Sequence, residues 1–108
     1  MSIAIRIGSL AALKKIPVQC ISTADFKIVL IYRNNQFYAL DHACPHKSAS
    51  LCDGVLDGDH IACPWHGAQF NIETGRCFSP FAPNGVKTWP LSVKQDELFI
   101  HLSETENT

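Results

Sequence analysis

Two short turns in this 108-residue chain each offer one thiol and one imidazole, Cys44-Pro45-His46 and Cys63-Pro64-Trp65-His66. Thiolates and imidazoles are ligands of soft and borderline metals, so four such donors in two pairs make a metal site. The ligand count suits a binuclear iron centre. Two irons bridged by two sulfides each keep two tetrahedral positions, so a 2Fe-2S cluster takes four protein ligands. Neutral imidazoles in place of two of the thiolates remove negative charge and favour the added electron. Each turn then spans the cluster, with its cysteine on one iron and its histidine on the other. Zinc is the competing reading. Cys2His2 zinc sites space each ligand pair by about two to five residues, and the single residue between Cys44 and His46 is unusual for them.

The run Cys44-Pro45-His46, followed by Cys63-Pro64-Trp65-His66-Gly67-Ala68-Gln69-Phe70-Asn71-Ile72-Glu73-Thr74-Gly75, closely resembles the signature of Rieske-type iron-sulfur proteins, and the similarity spans nearly the whole chain. The resemblance implies one 2Fe-2S cluster, with Cys44 and Cys63 on the inner iron and His46 and His66 on the outer, solvent-facing iron. It also implies that the proline-bearing stretch 79–85 covers the cluster from a third side. High-potential relatives in cytochrome bc complexes carry an extra cysteine in each ligand loop, joined as a disulfide, where this chain has Ala49 and Trp65. They also place a serine and a tyrosine after the last histidine ligand, where this chain has Ala68 and Phe70. These departures point to a soluble, low-potential ferredoxin resembling those that carry single electrons from a flavin-dependent reductase to a terminal aromatic-ring-hydroxylating oxygenase. Two other readings stay open: the small subunit of an assimilatory NAD(P)H-dependent nitrite reductase, and a redox-sensing or assembly module. Electron delivery needs the histidine edge to approach a partner, and Lys47, Trp65, Phe81 and Pro83 are the side chains expected to rim that edge.

Nothing in the chain reads as a second, catalytic centre. Rieske oxygenases add a mononuclear iron held by two histidines and a carboxylate, on a far longer domain. The remaining histidines, His42, His60 and His101, are scattered. His42 precedes the first ligand turn and reads as structural, and His60 reads as a strand surface residue. The chain is read as an electron carrier and not as an enzyme.

A net charge of −1 with 18% charged residues gives no nucleic-acid footprint and no polybasic membrane patch. No run approaches the roughly 20 apolar residues of a membrane span. Met1-Ser2-Ile3-Ala4-Ile5-Arg6 lacks both the apolar core of a signal peptide and a twin-arginine pair. A cytoplasmic monomer is expected. With Cys44 and Cys63 on iron, Cys20, Cys52 and Cys77 are left, an odd number that fits free thiols in a reducing compartment. No disulfide is expected, and Cys20 reads as a small core residue.

Strands must hold these turns in place. Alternation predicts a first strand over 3–7, ended by Gly8, then a short helical turn or loop over 9–15 stopped by Pro17, and a strand over 18–21. Strands over 26–32 and 36–41 join through Asn34-Asn35 and deliver the chain to the first ligand turn. A hairpin of Val55-Leu56 and His60-Ile61-Ala62 around Asp57-Gly58-Asp59 separates the two ligand turns and lets them converge. A strand follows over 69–72, then a turn over 73–76 and Cys77-Phe78. Prolines exclude a central strand over 79–85. Strands over 87–94 and 98–102 close the chain, and 103–108 is expected to fray. The result is one all-β domain over 1–108 of about ten short strands, in two antiparallel sheets or a flattened barrel. Its base is 1–42 and 87–108, and its cluster-binding insert is about 43–86. Two separate domains would each be too small for a core.

Overall fold

The run Ile28-Val29-Leu30-Ile31 is apolar at every position, and all four side chains are fully buried. An uninterrupted apolar run is what a strand needs when both of its faces are covered. A computed structural model, which describes residues 2–24, 26–42, 50–63, 68–77 and 85–103, shows what covers them. The described strands are β1 Ser2–Ser9, β2 Val18–Ser22, β3 Lys27–Arg33, β4 Gln36–Asp41, β5 Val55–Asp57, β6 His60–Ala62, β7 Gln69–Asn71, β8 Leu91–Lys94 and β9 Glu97–Ser103. One helical turn, α1, spans Leu10–Leu13, and a 3-10 turn spans Leu51–Asp53.

The strands form three antiparallel sheets, ordered β1-β9-β8, β2-β3-β4 and β5-β6-β7. Successive side chains on β3 point to opposite faces. Val29 and Ile31, with Leu40 of β4, join Leu51, Ile61 and Phe70 in one core. Ile28 and Leu30, with Ala39, join Leu98 and Ile100 in the other. The β2-β3-β4 sheet is therefore a middle layer. Each buried aliphatic side chain there contributes about 1.5 to 3 kcal/mol of transfer free energy.

The all-β antiparallel expectation holds, with nine described strands and three open sheets in place of about ten strands in two sheets or a flattened barrel. The first strand does not stop at Gly8. A register shift between Arg6 and Gly8 lets β1 run on to Ser9 along β9. The strand expected over 87–94 is shorter, because Pro90 has no amide proton to donate. Before it, Thr88 bridges Leu40 and the Trp89 amide donates to the Ala39 carbonyl at 2.9 Å. β8 starts only after it, at Leu91. Both expected hairpin turns form, with Asn34 and Asn35 at φ 53° and 66° and Gly58 at φ 59°.

Cys20 corrects two expectations. It is exposed because β2 is the edge strand: Cys20 lies opposite Val29, on the same face of the sheet but at the margin of the core that Val29 enters. It is also bonded to Cys52, 32 residues away, with the two Cα atoms 5.3 Å apart. That separation lies in the range a disulfide spans without moving the backbone. It arises because the 3-10 turn carrying Cys52 packs beside β2, a contact that cysteine counting does not reveal. Among the described residues, no helix is long and apolar enough to cross a membrane.

Candidate metal centre

Most of the candidate site falls in three short segments outside the described residues: 43–49 with Cys44, His46, Lys47 and Ala49, 64–67 with Trp65 and His66, and 78–84 with Phe81 and Pro83. Their ends are described, and each pair of ends is closed by hydrogen bonds or strand pairing. Around 43–49, the Leu51 amide donates to the His42 carbonyl at 2.7 Å, and the Ser50 hydroxyl donates to the same oxygen at 3.4 Å. Around 64–67, the Cys63 amide donates to the Ala68 carbonyl at 2.7 Å, extending the β6–β7 pairing by one step. Around 78–84, Cys77 bridges Phe70, and the Val86 amide donates to the Gly75 carbonyl at 2.9 Å.

These stems converge. Leu51, Cys52, Cys63, Ala68, Phe70, Cys77 and Val86 all pack in the same apolar cluster, on the face of the middle sheet that carries Val29 and Ile31. Three excursions of the chain therefore leave one apolar floor. The β5–β6 hairpin expected between the two ligand turns is present, pairing Val55 with Ala62 and Asp57 with His60. An Arg33–Asp59 ion pair and the Ile72 amide, which donates to the Asp59 carbonyl at 2.9 Å, fix its tip.

Of the four candidate ligands, Cys63 is described. It is a free thiol, 2% exposed, at the end of β6 and within the floor. A buried thiol without a disulfide partner suits a ligand that meets a cofactor from the protein side. The other donors supplied by the sequence, one thiol and two imidazoles, belong to segments whose stems share that floor, so the residues present fit a 2Fe-2S cluster. The His42 carbonyl closes the first stem, and its Nδ1 is buried with no hydrogen-bond partner among the described residues. His60 is half-buried on β6. His101 lies on β9, with its Nε2 2.7 Å from the Ser92 hydroxyl. Among the described residues these histidines do not come together.

Residues that sequence reasoning left aside also hold the site. Ser50 caps the 3-10 turn by accepting the Cys52 amide proton at 3.1 Å. Asn71 shapes the turn after β7, its Oδ1 accepting from the amides of Glu73 and Thr74 at 2.9 and 3.0 Å. Gly75 and Gly85 have φ of +78° and +67°, and each lets its backbone approach the other strand of the third stem closely. The Asn-Ile-Glu-Thr-Gly run carried a signal for this turn, since Asn and Gly are turn formers.

A family model described as the Rieske [2Fe-2S] domain matches residues 5–90. Over 71 residues the chain is 41% identical to ferredoxin CarAc of Metapseudomonas resinovorans, a match covering 65% of this chain and 66% of that protein. Over 78 residues it is 35% identical to human apoptosis-inducing factor 3, covering 72% of this chain. The chain spans only 13% of that much longer relative. Among solved structures, a complex of reduced oxygenase and oxidised ferredoxin in carbazole 1,9a-dioxygenase contains a chain that superposes with a TM-score of 0.81 at 28% identity. That match covers 91% of this chain and 92% of the other.

Proposed function

The chain belongs to the Rieske [2Fe-2S] domain family, and on that premise we propose that it is a ferredoxin, carrying single electrons from a flavin-dependent reductase to a terminal oxygenase. The cofactor is a Rieske-type 2Fe-2S cluster, which when bound takes up and returns one electron. In this reading Cys44 and Cys63 hold the inner iron and His46 and His66 the outer one. The observation that carries it is the shared apolar floor, with the Cys63 thiol buried in it and the stems of all three segments leaving from it. The floor buries the Cys63 thiol away from water, as the inner, thiolate side of the cluster requires in this reading. The chain works as one domain, with a base of 1–42 and 87–108 and a cluster-binding part at about 43–86. Pairing of β1 with β9, which joins the two ends of the chain, supports that division. It acts as a cytoplasmic monomer that meets its partners transiently and performs no chemistry of its own on a substrate.

Lys47, Trp65, Phe81 and Pro83 form the docking rim in this reading. The test is stopped-flow mixing with a flavin-dependent reductase and a terminal aromatic-ring oxygenase. The protein is expected to be reduced by the first and reoxidised by the second. Trp65→Ala should slow delivery about tenfold, as loss of a central aromatic anchor does, while keeping its iron. Unchanged delivery with an intact cluster would remove Trp65 from the docking rim. Electron exchange with a sirohaem nitrite reductase in place of the oxygenase would favour the reductase-subunit reading.

The potential follows from the missing hydroxyls. The reduced cluster carries one more negative charge, so a hydroxyl donating to it favours reduction by roughly 1 to 2 kcal/mol, or about 40 to 90 mV for a one-electron couple. Ala68 and Phe70 are both fully buried and offer no such donor. The midpoint is therefore expected near the low end of the Rieske range, around −150 mV. Ala68→Ser, placed where the backbone closes on Cys63, should raise it by about 40 to 90 mV in a redox titration. A wild-type midpoint above about +100 mV would instead mark a quinol-linked protein.

A further inference from the structure

The Cys20–Cys52 bond lies outside the ligand set, yet it ends on the stem of the first ligand segment. Cys52 follows Leu51, whose amide donates to the His42 carbonyl at 2.7 Å. The Cys52 amide itself donates at 3.1 Å to the Ser50 hydroxyl, which bonds to the same His42 oxygen at 3.4 Å. One carbonyl thus gathers the stem, and the disulfide ties it to β2 on the middle sheet. Without the bond, that stem keeps its hydrogen bonds and packing but loses its covalent link to the sheet. Cys20 is exposed on its edge strand, so the bond can be reached by thiols in solution, and exposed disulfides are the labile ones.

We propose that Cys20 and Cys52 are a reversible thiol-disulfide pair whose oxidation state sets how firmly the segment carrying Cys44 and His46 is held. The proposal rests on the reading of those two residues as cluster ligands. The oxidant is a low-molecular-weight disulfide of the glutathione class. The Cys20 thiolate attacks one of its sulfurs, the S–S bond breaks, and one thiolate leaves. The Cys52 thiolate then attacks Sγ of Cys20 and expels the second thiolate. Two electrons and two protons pass from the protein thiols to the oxidant, which departs as two thiols. A dithiol reduces the bond: one of its thiolates attacks Sγ of Cys20 and expels the Cys52 thiolate, and its second thiolate then closes a cyclic disulfide on the first and expels the Cys20 thiolate. In the oxidised form the stem is fixed and iron is retained. In the reduced form the stem opens more often, and iron is lost to competitors.

The test uses the cluster-bearing protein, equilibrated without oxygen against oxidised glutathione or dithiothreitol and then freed of either reagent. Alkylation and peptide mapping should find Cys20 joined to Cys52 after the oxidant and both alkylated after the dithiol. Loss of visible absorption to an iron chelator should be about tenfold faster in the dithiol-treated protein, a size set by the typical stabilisation a disulfide gives when only part of it acts on local opening. A Cys20→Ser/Cys52→Ser double variant should lose iron at the faster rate after either treatment. Should that variant fail to fold, the wild-type pair of rates still decides the matter. Two alkylated thiols after the oxidant, equal wild-type rates, or a double variant that responds to dithiol as the wild type does would each overturn the proposal. The peptide map does not depend on iron. A preparation without iron or sulfide would overturn the cluster reading and the retention role together, whereas a cluster-bearing protein whose Cys20 and Cys52 are both still free after the oxidant overturns the switch alone.

Discussion

Cys63→Ser is expected to lower bound iron and acid-labile sulfide from about two of each per chain to nearly none. The substitution leaves the floor's shape almost unchanged, since it replaces one sulfur by an oxygen at a site that is 2% exposed. Its main effect is to remove the soft thiolate that iron requires on the protein side. A buried hydroxyl without a partner costs the fold about 1 to 3 kcal/mol, which is small beside loss of the cofactor. His46→Ala and His66→Ala should lose the cluster or leave it labile, because an iron with an open position is exposed to water. His42→Ala should keep it, since the His42 carbonyl, not its ring, closes the first stem. Iron and sulfide assays with visible spectra check all four variants. A full cluster in Cys63→Ser would refute the ligand set, and stoichiometric zinc without sulfide in wild-type protein purified without oxygen would refute the metal.

Gly75→Ala should be among the most damaging small substitutions outside the ligands, lowering stability by about 2 to 4 kcal/mol. Its φ of +78° is unfavourable for a residue with a Cβ. The added carbon would also lie 2.1 Å from the Val86 carbonyl oxygen, an atom of the backbone that no side-chain rotation can move aside. The same glycine's carbonyl accepts the Val86 amide proton, so relief of the clash breaks the third stem. Gly58→Ala is the control. Its φ is +59°, but nothing lies within 4 Å of the added carbon, so only the conformational cost of about 1 to 2 kcal/mol remains. Urea unfolding of the two variants checks the difference, and equal losses would show that the Gly75 backbone contact is not as close as described. The Gly75 variant should also release iron faster than Gly58→Ala, because only it loosens a stem.

Features set by a few neighbouring residues were legible in the sequence. The spacing within Cys44-Pro45-His46 and Cys63-Pro64-Trp65-His66 pointed to the iron-sulfur family that the match over residues 5–90 shows, because ligand spacing within a turn is itself a geometric constraint. The Asn34-Asn35 and Asp57-Gly58 turns were readable for the same reason: left-handed backbone favours those residue types at those positions. What the tertiary structure decided were relations between distant segments. The apolar run Ile28–31 announces a strand, but only the three-layer stacking assigns Val29 and Ile31 to the site's floor and Ile28 and Leu30 to the other core. Cys20 and Cys52 became a pair because the fold brings positions 32 residues apart to a 5.3 Å Cα separation. The need for glycine at positions 75 and 85 became visible only where two backbones meet. Turn conformations follow from local sterics, which a short run of sequence carries in full. Layering and long-range pairing follow from burying the most apolar surface over the whole chain at once, and no single stretch encodes that sum.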